Sequence, residues 1–497
     1  AEELEERLPA KMKRDLANKH ANFYIMDATK LARDLGLGNR INTILQAAFF
    51  QLTKVIPIDL AVEEMKQGNY NSYFKKGGQE IVDLNNRAVD VGLTGMTKVE
   101  VPAAWADAKD GAPEAVTKRI VEDLDKAYFP TEMIVPSTEI VHDRANLEVF
   151  RGCIRGCRFC QAGYVYRPVR NRSRELCARY GVESCNDSGY QEVTLSSLST
   201  SDYPPLTELC DELEPFCQQR HVNLSLPSLR ADNFSMSLME RLAKGRKSGL
   251  TFAPEAGTQR LRDVINKNVT QEDLLASCRT AFAGGYSAVK LYFMLGLPTE
   301  TDEDVLGIAD LAARVMHTWR ESASNKNRGV RITVSTSWFV PKPHTAFQWE
   351  PQISKEEYER RVNLLREAIK TKTVTYNWHD SDTSFLEAVL ARGDRRMGKV
   401  LETAWRKGAK LDAWEEYFSL DRWLEAFDQC GLDPHFYANR TREKDELMPW
   451  AMISSGVTES YLWRERERAF AGVTTPDCRT HCNACGANRL VGGKCDV

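Results

Sequence analysis

Three cysteines in the run Arg-Gly-Cys-Ile-Arg-Gly-Cys-Arg-Phe-Cys-Gln-Ala-Gly, residues 151–163, constrain the fold of this chain more than any other feature. Cys153, Cys157 and Cys160 stand at C-x-x-x-C-x-x-C spacing. Three thiolates so placed can hold a [4Fe–4S] cluster by three of its irons and leave the fourth iron open. An ordinary structural zinc site closes with four ligands, so the triplet does not read as one. The loop follows a strand-like run at residues 147–150 and precedes a helical stretch, a context that calls for an architecture offering strand ends to a cofactor.

The rest of the chain can supply such an architecture. Its 497 residues, 42% hydrophobic and 28% charged, suffice for two to four domains with cores of their own. No apolar run approaches the roughly 20 residues of a membrane span, and the acidic start Ala-Glu-Glu-Leu-Glu-Glu-Arg has no signal-peptide core. A cytoplasmic protein without membrane contact is expected. Thirteen cysteines, an odd number grouped around C-x-x-C spacings, fit a reducing compartment and metal ligation better than a disulfide framework. A formal charge of −3 gives no global attraction to nucleic acid. Locally the balance differs, because Arg151, Arg155, Arg158, Arg167, Arg170, Arg172 and Arg174 fall in one stretch without an acidic residue. Their guanidinium groups would offset the negative charge of a tri-thiolate cluster. A phosphate-bearing substrate such as RNA could use the same arginines, and a solvated basic face has the same signature in sequence.

Gly and Pro punctuate residues 107–113, which read as a linker, and a boundary is expected there. Downstream, strand-like runs at residues 147–150, 192–198, 222–226, 250–253, 288–293 and 331–339 alternate with helical stretches. Six strand–helix units predict a parallel α/β barrel, incomplete by comparison with eight, over residues 113–350. Chemistry in such barrels sits at the carboxyl ends of the strands, and the cysteine loop follows the first. Residues 351–497 read as a helical region with a Cys-rich tail.

Further stretches carry a resemblance. Phe-Ala-Pro-Glu-Ala-Gly-Thr-Gln-Arg at 252–260, Lys-Leu-Tyr-Phe-Met-Leu-Gly-Leu-Pro-Thr-Glu at 290–300 and Val-Ser-Thr-Ser-Trp-Phe-Val-Pro-Lys-Pro-His at 334–344, together with the cysteine loop, resemble the radical S-adenosylmethionine (SAM) superfamily. From about residue 149 onward the pattern is similar to an uncharacterised family of radical SAM proteins that often carry a cobalamin-binding domain. The resemblance implies a [4Fe–4S] cluster whose open iron takes the amino and carboxylate groups of SAM. It further implies one-electron cleavage of SAM to methionine and a 5′-deoxyadenosyl radical that abstracts hydrogen from a substrate, fed by a reducing partner such as flavodoxin or ferredoxin. It assigns SAM contacts to Glu255, and less directly to Thr258 and Arg260, and an adenine-side role to Phe159 and Gly296. On physical grounds Glu255 could as well cap the helix that starts near Gln259. The glycine-rich, glutamate-ending motif usual after the second strand is missing, and Leu-Ser-Ser-Leu-Ser-Thr-Ser-Asp at 195–202 stands in its place, with Ser197 and Ser199 able to donate and accept hydrogen bonds. No Asp-x-His-x-x-Gly element offers a histidine to cobalt, so cobalamin is not supported.

The first 112 residues read differently. Gly-Leu-Gly-Asn-Arg-Ile-Asn-Thr at 36–43, Ala-Phe-Phe-Gln-Leu at 48–52 and Val-Glu-Val-Pro at 99–102 resemble the gamma-type domain of pyruvate:ferredoxin oxidoreductase over about residues 8–110, as an α/β fragment without the thiamine diphosphate site. At the other end, Cys478, Cys482, Cys485 and Cys495 lie within eighteen residues. Sulfur ligands suit a second iron–sulfur cluster or a structural zinc, with His481 able to replace one of them, and an unmetallated tail is the alternative. A radical SAM enzyme of open substrate and product is the expected function. A 2-oxoacid oxidoreductase component and a non-catalytic iron–sulfur or zinc scaffold are the competing ones.

Overall fold

The computed structural model describes residues 2–108, 115–226, 230, 232, 250–493 and 495. It divides into two compact units, Ala1–Glu114 and Ala115–Val497. Most of the stretch read as a linker, residues 109–113, lies outside the described residues.

The smaller unit is mainly helical. Its longest helix, Ile58–Thr94, is broken at Gly78, where φ 70° and ψ −168° leave helical space. The only pairing described within it is antiparallel, between Phe23–Ile25 and Thr97–Val99. Its core is built largely from small residues, Ala28, Ala32, Leu37, Ile44 and Ala88.

Seven parallel strands organise the larger unit: β1 (Ala145–Glu148), β2 (Glu192–Ser196), β3 (Asn223–Ser225), β4 (Leu250–Glu255), β5 (Ala288–Leu295), β6 (Arg331–Trp338) and β7 (Val374–Trp378). β1, β2 and β3 pair in chain order, with Leu147 opposite Leu195 and Val193 opposite Leu224. A second sheet runs β4–β5–β6–β7, with Leu291 opposite Phe252 and Val334. Helices separate successive strands wherever the intervening chain is described, the arrangement that parallel pairing requires. The α/β class and strand–helix alternation expected from sequence are present. Two details differ. The run at 147–150 is not one strand: it breaks at Val149, whose N–H donates to Ser196 while its carbonyl accepts from Arg172. The chain then turns, and Phe150–Arg151 pairs antiparallel with Arg170–Asn171. And β7, five residues rich in β-branched and aromatic side chains, extends the sheet from within the stretch read as helical.

Alternation along β5 fixes which face is core. Val289, Leu291, Phe293 and Leu295 are buried against Val305, Ile308, Leu311 and Val315 of helix Asp302–Ser322, each burial stabilising by about 1.5–3 kcal/mol. Phe385, Val389, Val400, Trp423 and Phe427 from the C-terminal helices join this same core. Loops at the carboxyl ends of the strands are tied across the sheet. Arg158 N donates to Ile265 O at 2.9 Å, linking the loop after β1 to the segment after β4, and Arg230 Nη2 donates to Lys267 O at 2.9 Å. These bonds tie the loops that follow strands of the first sheet to the segment that follows β4 of the second.

Candidate functional site

Cys153, Cys157 and Cys160 occupy the loop that leaves β1, all partly buried. Two of the sulfurs already receive backbone N–H groups: Arg155 N lies 3.4 Å from Cys153 Sγ, and Gly163 N lies 3.4 Å from Cys160 Sγ, which caps helix Gln161–Val165. N–H groups aimed at sulfur favour thiolate over thiol and tune a bound cluster. Close approach sets the loop's shape. A Cβ on Gly156 would stand 2.9 Å from Asn266 Nδ2, the atom that donates to Gly156 O at 3.1 Å.

Burial, and then the neighbouring Cys157 sulfur, push the Cys153 thiol up to about 12 and raise that of Cys160 as well. Burial thus favours the thiol form of Cys153 and Cys160, and a bound cation would be needed to make them thiolate ligands. Among the described residues no three His, Cys, Asp or Glu side chains converge on a single ion position.

Cations surround the loop. Arg155 is held by Asp202 through its Nε at 2.8 Å and by Asp232 through Nη1 at 3.1 Å. Half-buried Lys267 lies 3.1 Å from the Glu255 carboxylate and 6.0 Å from the Phe159 ring centroid. Burial works against its charge, but Glu255 and the Cys157 sulfur outweigh it and hold the lysine above its ordinary range. Glu255 ends β4 at φ 69°, a left-handed conformation that a non-glycine residue keeps only where its surroundings impose it.

Phe159, Glu255 and the three cysteines are thus brought into one neighbourhood, linked by Lys267. Ser199 reaches it indirectly, donating at 2.6 Å to Asp202, while Ser197 bonds Thr200 Oγ1 at 3.1 Å. Thr258 and Arg260 are drawn elsewhere. Both bind Asp304 at the start of helix Asp302–Ser322, and Thr258 also caps helix Gln259–Val264. Gly296 adopts φ 88°, and its N–H is taken by buried Glu300. Lys267, Asp202, Asp232 and Asn266 were not singled out by the sequence. The Asn266-Lys-Asn268 triplet, with both asparagines at positive φ, is the signal that could have marked the first of them.

The arginine run is internal architecture, which sets aside the solvated basic face, one of the readings left open by the sequence. Arg155, Arg158, Arg167, Arg170 and Arg172 are buried, and the partly exposed Arg151 and Arg174 are each paired to glutamates. The tail cysteines also lie close by: Cys478 N donates at 3.2 Å to Ile154 O, beside Cys153.

Residues 147–312 match the Radical SAM superfamily, and residues 2–95 match the pyruvate ferredoxin/flavodoxin oxidoreductase family. An uncharacterised protein of Methanocaldococcus jannaschii is 28% identical over 385 residues, covering 75% of this chain and 82% of its own length. Pyruvate:ferredoxin oxidoreductase of Moorella thermoacetica is 47% identical over 130 residues, 26% of this chain, and the chain spans only 11% of that enzyme's length. A solved radical SAM methyltransferase, TsrM from Kitasatospora setae, superposes with a TM-score of 0.30 at 15% identity over 38% of this chain and 35% of its own.

Proposed function

We propose, from the premise that this chain is a radical SAM enzyme with a pyruvate-oxidoreductase-type domain ahead of its barrel, that Cys153, Cys157 and Cys160 hold the [4Fe–4S] cluster and that Glu255 and Lys267 position SAM beside it. The observation that supports this most is the cysteine loop itself, three partly buried thiols at a strand end, two of them already receiving N–H groups. When bound, the reduced cluster would supply one electron to cleave the carbon–sulfur bond of SAM and so start hydrogen abstraction from a substrate.

The chain's own residues would do the rest. The amino acid end of SAM carries one positive and one negative group, and the adjacent Glu255 and Lys267 offer the opposite pair. Phe159 supplies an apolar wall beside them. Arg155, fixed by three aspartates, keeps its guanidinium charge near the cluster whatever the cluster's redox state. A one-electron donor of flavodoxin or ferredoxin type fits the need for reduction, and a reducing cytoplasm would keep the thirteen cysteines, all free, available as thiols.

Anaerobically reconstituted protein should bind about four irons at this loop and convert SAM to 5′-deoxyadenosine under a low-potential reductant. The Cys153→Ala, Cys157→Ala, Cys160→Ala variant should lose both. A variant that retained a SAM-responsive cluster would defeat the assignment. The 47% identity to the Moorella enzyme supports a second reading, a component of a 2-oxoacid oxidoreductase. Pyruvate-dependent reduction of ferredoxin by the purified chain is the result that would favour it, and metal binding without SAM cleavage would favour a scaffold.

A further inference from the structure

The segment after helix Glu459–Phe470 is fastened to the cysteine loop at several points. Thr475 N donates to Asn266 Oδ1 at 2.8 Å, and Asn266 and Asn268 each donate to Thr475 O at 3.1 Å. Cys478 N bonds Ile154 O, and Arg479 Nη2 reaches Asp202 Oδ1 at 2.9 Å. Further on, Cys485 O accepts from Thr458 N at 2.9 Å, and the Cys485 side chain packs in the cluster of Tyr164 and Tyr461. Cys478 and Cys485 are therefore held on a built surface, with Cys482 between them in the chain and Cys495 ten residues beyond Cys485.

A buried cation stands among them. Arg167 is 3% exposed, donates to Gly163 O at 3.1 Å and Arg155 O at 2.7 Å, and lies over the rings of Tyr164 and Tyr461 at 5.1 and 5.9 Å. Among the described residues no carboxylate comes within ion-pair distance of it. The Tyr164 and Tyr461 rings beneath it pack in one cluster with Cys485. A buried guanidinium facing neutral thiols is uncompensated, whereas metal-bound thiolates supply the missing negative charge.

We propose that Cys478, Cys482, Cys485 and Cys495 hold a second iron–sulfur cluster, with Arg167 as the cation shared between it and the cluster of the barrel loop. Iron–sulfur is favoured over zinc because Cys478, Cys482 and Cys485 repeat the C-x-x-x-C-x-x-C spacing of the barrel loop. The tail cluster stands on its own four cysteines, and only the sharing of Arg167 rests on the function proposed above.

Iron counting and electron paramagnetic resonance on the anaerobically reconstituted full chain test it. The native chain should bind about eight irons, and both the Cys153/Cys157/Cys160→Ala and the Cys478/Cys482/Cys485→Ala variants should keep about four, with distinct reduced-state spectra. Should the tail variant fail to fold, the loop variant reads the tail cluster alone. Arg167→Met should keep the iron and move both reduction midpoints to more negative potential, with Arg167→Lys restoring part of the shift. A loop variant devoid of iron, a tail variant with native iron content, or stoichiometric zinc lost with the tail cysteines would each overturn the second cluster. Midpoints unchanged in Arg167→Met would overturn the shared cation. A loop variant without iron beside a tail variant that still cleaves SAM would leave the barrel assignment standing while this one falls.

Discussion

Glu255 and Lys267 are opposite charges held together beside the cysteine loop, with side chains only 17% and 12% exposed. Removing one partner leaves the other charge uncompensated, so Lys267→Met should cost about 3 kcal/mol of stability and weaken SAM binding at least tenfold in equilibrium dialysis, with Lys267→Arg losing less. Equal SAM affinity in the Met variant would remove this pair from the site. A second residue carries a pH signature. Burial lifts Glu300 from 4.5 to about 7 despite Arg361, so the folded state holds a proton that the unfolded chain releases. Stability from this group is full below about pH 4.5 and is lost as pH rises towards and through 7, because unfolding releases a proton across that window. Glu300→Gln should flatten this decline, read by urea denaturation at pH 5 and pH 7.5, and an unchanged slope would assign the decline to other groups. At this scale the sequence exposed what spacing encodes and little else. Three cysteines within eight residues are legible as a loop, whereas Lys267 acquires its place from the return of the chain after β4, over a hundred residues further on.

Helix Glu459–Phe470 shows how elements far apart in sequence define the site. Its Glu465 is fully buried and meets Arg158 of the cysteine loop at 3.2 Å, while Arg158 also donates to Val264 O and Val473 O. Thr475 donates to the same carboxylate at 2.8 Å. Glu465→Ala strands a buried guanidinium, and a loss of about 3–5 kcal/mol is expected in chemical denaturation, with Glu465→Gln losing less because it can still accept a hydrogen bond. A surface-like loss below about 1 kcal/mol would mean that the pair is not buried in solution. The same geometry explains why the arginine run is ambiguous in sequence. Seven positive charges in a stretch without an acid of its own share the sequence signature of a solvated face, and Arg158 is neutralised by Glu465, 307 residues away. Strands were legible where alternation was strong, as in β5, and β7 was not, because five residues between two helical stretches carry too little pattern to separate strand from turn.

The whole chain joins two units whose cores share no residue. Ala28, Ala32, Leu37, Ile44 and Ala88 form one, and β4 to β7 with the helices around them form the largest of the others, all beyond residue 144. Separate cores allow each unit to fold without the other. The smaller unit corresponds to about a tenth of the pyruvate oxidoreductases it resembles. Decarboxylation of a 2-oxoacid needs a carbanion-stabilising cofactor and an outlet for two electrons. Every residue assigned here to the cluster, to SAM and to their counter-ions lies beyond residue 150. A chain beginning at Ala115 should therefore fold, bind the same number of irons as the full chain and release 5′-deoxyadenosine at a rate within about threefold of it, since no interaction with the transition state has been removed. Circular dichroism and a single-turnover assay under anaerobic conditions decide the matter. If the shortened chain folds and binds iron but no longer cleaves SAM, the smaller unit takes part in the chemistry, and the oxidoreductase likeness becomes a statement about activity and not only about ancestry.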